Sequence, residues 1–76
     1  MKIHLSPTGK GAILNPKYNE EEVAKSVDHA LVLGKIVAAK KSKKNFISIK
    51  VEREKAFVIK NLLEKEGFNV EIEEVF

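Results

Sequence analysis

The chain has no cysteine and no tryptophan, and only two prolines, four glycines and one methionine in 76 residues. Without cysteine there is no disulfide and no thiolate metal site. A chain this short buries only about 60–65% of the surface its unfolded form exposes, so its stability is small. With those staples excluded, association with another chain is the one that remains. Long apolar runs are also lacking. The longest, Ala30 to Ala39, is about half of a ~20-residue membrane span and is interrupted by Lys35. Met1-Lys2 precedes only a few apolar residues before Ser6-Pro7-Thr8-Gly9-Lys10, which is not the pattern of a secretory leader. The expectation is a cytoplasmic protein with no membrane contact.

Arginine and aspartate are nearly absent. Arg53 and Asp28 stand alone among 14 basic and 11 acidic residues, and the net charge of +3 is a weak pull toward polyanions. Hydrophobic residues at 43% and charged residues at 33% give the balance of a globular chain.

Ile3 and Leu5 alternate with Lys2, His4 and Ser6, the period of a half-buried strand. Ser6-Pro7-Thr8-Gly9 reads as a type I turn, with residues 11–14 returning as a second strand. Asn19 with Glu22 three residues later forms a capping box, and Tyr18 and Val23 are spaced for a hydrophobic staple. One helix is expected from there to Lys41–Lys44, with Asn45 as its stop. Phe46 to Val51 alternates as a strand. A second helix follows to Glu66, with Gly67 as its C′ residue and Phe68 contacting back to the last turn. Phe68, Val70 and Ile72 mark a last strand, parallel to the preceding one because a helix connects them. The reading is a single compact domain over residues 1–76 of the α+β class. It is a two-layer α/β sandwich in β(β)αβαβ order, with a mixed sheet of three to four strands and two helices on one face.

At about 100° per residue the first helix has two apolar stripes. Val23, Val27, Ala30, Leu31, Gly34, Val37 and Ala38 form the broad one, assigned to the sheet. Val32, Ile36 and Ala39 fall nearly opposite, with Leu33 between. With Phe57, Val75 and Phe76, they are apolar residues that a two-layer fold leaves uncovered, and a contiguous set of that kind marks an interface. The assigned self-association surface is Val32, Leu33, Ile36, Ala39 and Phe57, in a homo-oligomer, most simply a dimer.

Catalytic constellations are wanting. Ser6, Ser26, Ser42 and Ser48 have no evident His–acid partner, and His4 and His29 read as surface residues with no third metal ligand. Thr8-Gly9-Lys10-Gly11 lacks the spacing of a phosphate loop, and no cofactor motif is present. The expected function is a small non-enzymatic protein–protein interaction module, a regulator, adaptor or assembly component. The alternative is a nucleic-acid-binding module. Its polyanion contact would be Lys40, Lys41, Lys43 and Lys44 at the end of the first helix, helped by Lys10.

Overall fold

The computed structural model describes residues 1–9 and 18–73. In chain order the elements are β1 (Lys2–Thr8), α1 (Glu20–Ala24), α2 (Val27–Lys41), β2 (Phe46–Glu52), α3 (Arg53–Lys65) and β3 (Asn69–Ile72). The three strands form one parallel sheet in the order β2-β1-β3. The class is α+β, and the arrangement is compatible with the expected sandwich, but the sheet is parallel rather than mixed. Each connection carries a helix that returns the chain to the end where the strands start, as parallel pairing requires.

The turn expected at Ser6-Pro7-Thr8-Gly9 does not form. β1 runs straight through Pro7, which pairs in register with Val51. A proline in a central strand normally deletes a ladder bond. Here it does not, because β3 pairs with β1 only as far as Leu5↔Ile72. The Glu73 N–H donates to the Leu5 carbonyl at 2.9 Å, so odd residues of β1 turn their backbone groups toward β3. Pro7 points the same way, past the end of that strand, where none of the described residues needs an N–H. The second strand expected over residues 11–14 lies outside the described residues.

One face of the sheet carries the core. Ile3, Leu5, Ile49, Val51 and Val70 are buried together with Val23 of α1, Val32 and Ile36 of α2, and Ala56, Ile59 and Leu63 of α3. The opposite face carries Lys2, His4, Ser6, Ser48, Lys50 and Glu71, polar side chains reached by solvent.

The single first helix expected from the sequence is two helices. Asn19 caps α1 as anticipated: its Oδ1 accepts from the Glu22 N–H at 2.8 Å, and its Nδ2 donates to the Glu22 carboxylate at 3.1 Å. The break comes at Ser26, whose extended backbone starts a fresh helix. Its hydroxyl donates to the Val23 carbonyl at 2.6 Å and accepts from the His29 N–H at 3.2 Å, ending one helix and capping the next. The rotation of α2 about its axis is therefore independent of Val23, and the stripe drawn through both is not continuous.

Both longer helices close with the same hydrogen-bond pair. In α3 the Phe68 N–H donates to the Leu63 carbonyl and the Gly67 N–H to Glu64, with Gly67 left-handed at φ 90° and Phe68 packed against the core. In α2 the Lys44 N–H donates to Ala39 and the Lys43 N–H to Lys40. The left-handed position falls on Lys43, φ 56°, not on Asn45. A side chain there is strained and glycine is not. Lys43→Gly is expected to stabilise the chain by about 1 kcal/mol, read as a rise in Tm of about 4–8 °C.

Lys55 at the start of α3 ties that helix to the first turn of α2. Its ammonium, on a side chain only 17% exposed, lies 2.7 Å from Asp28 and 3.3 Å from Glu52, and 5.0 Å from the centre of the Tyr18 ring. The Asp28 hydrogen bond holds the Lys55 pKa above its ordinary 10.5, against the opposing pull of burial. A folded pKa above the unfolded one stabilises fully below pH 10.5 and fades as the pH rises past it. Lys55→Met is expected to cost about 1–2 kcal/mol near neutrality. Chemical denaturation should show the gap to the parent chain closing in strong alkali.

Candidate interaction surface

α2 has apolar residues around most of its circumference, and only burial decides which set faces in. His29, Val32, Ile36 and Ala39 are buried, and Leu33 is half-buried against the core. The self-association assignment of Val32, Leu33, Ile36 and Ala39 is thereby corrected: these residues cover the sheet. Phe57, assigned with them, is half-buried on α3 with the Lys60 ammonium 6.0 Å from its ring centre. Val75 and Phe76 lie outside the described residues.

The stripe assigned to the sheet is instead turned to solvent. Val27 is 74% exposed, Leu31 60% and Val37 53%, and Ala30, Gly34 and Ala38 are exposed between them. Scattered exposed apolar residues are ordinary, but six on one helix face are not. Gly34 sharpens the point. A Cβ built there meets nothing within 4 Å. Glycine inside a helix costs about 1 kcal/mol relative to alanine, and among the described residues nothing needs its absent side chain.

Gly34 is also the middle residue of α2, and the stripe is nearly the same read in either direction from it. Leu31 and Val37 stand three residues away, Ala30 and Ala38 four, Val27 and Lys41 seven. The first turn carries Asp28 and the last carries Lys40 and Lys41. Asp28 is already paired with Lys55 within the chain, so the symmetry of the stripe lies in its apolar residues.

The solvated sheet face is the second surface. His4 sits between two carboxylates, with Nδ1 3.1 Å from Glu71 and Nε2 3.6 Å from Glu73. Ser6 donates to Glu73 at 3.1 Å, and Lys2 lies 3.3 Å from Glu71. The His4 hydrogen bond, and after it that of Lys2, hold the Glu71 carboxyl below its ordinary 4.5. The carboxylates take opposite ring nitrogens, so they do not converge on a point where a metal could sit. Among the described residues no group of three or more His, Asp or Glu side chains could hold one. The cluster satisfies itself across paired strands.

The lysine cluster is partly engaged. Lys40 lies 4.7 Å from the centre of the Phe68 ring, a cation–π contact that ties it to the start of β3. Lys41, Lys43 and Lys44 are exposed, and Lys10 lies outside the described residues. His29, expected on the surface, is 7% exposed, and its Nδ1 has no hydrogen-bond partner among the described residues. The helix break at Ser26 turned it inward.

None of the described helices is long and apolar enough to cross a membrane. Comparison with protein-family models, curated proteins and solved structures finds no match, so the stripe on α2 and the polar sheet face stand on their own geometry.

Proposed function

We propose that the protein is a small non-enzymatic interaction module that self-associates through the solvent-facing stripe of α2, with a second copy as its partner. The observation that carries this reading is the near-palindrome about Gly34. An antiparallel pair with its two-fold axis there brings Leu31 onto the partner's Val37 and Ala30 onto the partner's Ala38. Two glycines meet where the helix axes come closest. The helix dipoles of an antiparallel pair oppose favourably. A two-fold interface must be self-complementary in this way. Sedimentation over a concentration series is the test. A monomer–dimer equilibrium is expected, and a strictly monomeric species into the high micromolar range removes the proposal.

A second reading keeps one observation in its favour. Phe46 is 53% exposed on the solvated face of β2, the strand that follows the lysine cluster and carries Lys50 on the same face. An aromatic ring beside lysines suits single-stranded nucleic acid. Binding would have to weaken steeply with salt, and no retention on single-stranded DNA or RNA at low salt closes that reading.

A further inference from the structure

The outer edge of β2 is open. Among the described residues no strand pairs with it. The direction of its backbone groups can be read from β1. The Lys2 N–H donates to the Asn45 carbonyl at 2.9 Å, so odd residues of this segment face β1. By alternation the N–H and C=O groups of Phe46, Ser48, Lys50 and Glu52 point outward. An edge of seven residues without proline or bulge is a template for another strand.

Two clefts, of about 380 and 250 Å³, lie between this edge and α2, and Lys35 and Ile49 line both. At about 100° per residue Lys35 stands roughly a quarter turn from Gly34, so the clefts are a different surface from the centre of the exposed stripe. The larger is lined by the apolar Ala39, Ile47 and Ile49 together with Lys35 and Lys44. Lysines elsewhere are matched: Lys2, Lys25, Lys55, Lys60 and Lys65 each meet a carboxylate. Lys35 and Lys44, like Lys50 on the solvated face of β2, are exposed and have no such partner among the described residues. The two carboxylates of the smaller cleft, Asp28 and Glu52, are both held by Lys55. The edge is therefore flanked by positive charge that the described fold leaves unmatched.

We propose that the β2 edge binds an extended, acidic segment of another protein, which adds to the three-stranded sheet as a further strand. This goes beyond the self-association proposed above and does not rest on it. The outward N–H and C=O groups select a peptide backbone, and the unmatched lysines select carboxylates on that backbone. A nucleic acid brings the charge without the amide ladder. A second copy of β2 is unsuited, because it would bring its own Lys35 against Lys35. Side chains of the added strand alternate between its two faces. On the helix side they enter the larger cleft, where a glutamate meets Lys35 and Lys44. On the other side they lie beside Phe46, 53% exposed, where a β-branched residue covers the ring. The fitting partner is a strand in which glutamate alternates with apolar residues.

The probe is a capped peptide of about six residues, alternating Glu and Val, titrated into the isotope-labelled intact chain. The Ser48 and Lys50 amide resonances should move, with a Kd below about 1 mM. The double variant Lys35→Glu, Lys44→Glu should raise that Kd about tenfold, and a peptide with Lys in place of Glu should not bind. Ser48→Pro removes an outward N–H at an edge position, where proline is tolerated, and should abolish binding with Tm little changed. Peptides N-methylated at alternate residues test the same ladder without altering the chain. Of the two, the one whose methyl groups fall on the ladder should fail to bind. Equal binding by both, or no movement of the Ser48 and Lys50 resonances by about 1 mM peptide, overturns the proposal. Tighter binding of single-stranded RNA at the same amides also overturns it, in favour of a polyanion surface. Slow hydrogen exchange of those amides in the free, dilute chain overturns it too, because the edge would then already be covered.

Discussion

Ile36→Ala is expected to lower stability by about 3 kcal/mol, while Leu31→Ala in the dilute chain changes it by no more than about 0.5 kcal/mol. The two residues lie five apart on one helix and are nearly equal in volume and hydrophobicity, so the difference is one of burial alone. Ile36 is 2% exposed and packs in the cluster with Val32, Ile49 and Leu63; Leu31 is 60% exposed. Truncating Ile36 removes buried methyl groups and leaves a cavity that a parallel sheet on one side and a helix on the other cannot close. At the per-residue stabilities of globular domains a chain of 76 residues is stable by about 4–11 kcal/mol, so the loss is a large share of the total. Urea titrations should show a lower midpoint with an unchanged slope, since the surface exposed on unfolding is almost the same. The reverse result, with Leu31→Ala costly and Ile36→Ala neutral, would mean that α2 is turned by half a revolution.

That half revolution is where the sequence stopped being informative. Element positions were legible because each has a local cause. Asn19 with Glu22 makes a cap. Alternation over Phe46 to Val51 makes a strand, and Gly67 followed by Phe68 makes a helix end. None needs knowledge of distant residues. The facing of α2 does, because Val32-Ile36-Ala39 and Val27-Leu31-Val37 are equally apolar, and only what lies above each set distinguishes them. A stripe drawn through Val23 and Val27 takes its phase across Ser26, where the helix breaks. Ser26 three residues before His29 is itself a capping spacing, and it was the available signal. Pro7 misled in the opposite sense. Proline argues against a central strand, but here the neighbour on its N–H side ends two residues earlier. The set expected to lie in the open is therefore the buried one, and the set expected to lie on the sheet is the exposed one.

Leu31→Glu is expected to abolish self-association at concentrations where the parent chain is dimeric, with circular dichroism and Tm nearly unchanged. Leu31 sits on the stripe beside Gly34 and is 60% exposed, so a carboxylate there is solvated in the separated chain. In the paired form it would be pressed against the partner's Val37 and taken out of water, with Lys35 one turn along its own helix as a partial offset. A charge so buried still costs about 2 kcal/mol. The two-fold axis inserts it twice, and each 1.4 kcal/mol is a factor of ten. The dimer should weaken by about a thousandfold. Ile36→Glu makes the contrast, since a carboxylate in the core should cost the fold itself and abolish the melting transition. Gly34→Ala separates the two roles of the helix. With open space above it, the added methyl should stabilise the separated chain by about 1 kcal/mol, yet it must weaken a dimer whose helices touch at that residue. A gain in Tm at low concentration joined to a larger Kd is a combination that no effect confined to the monomer produces.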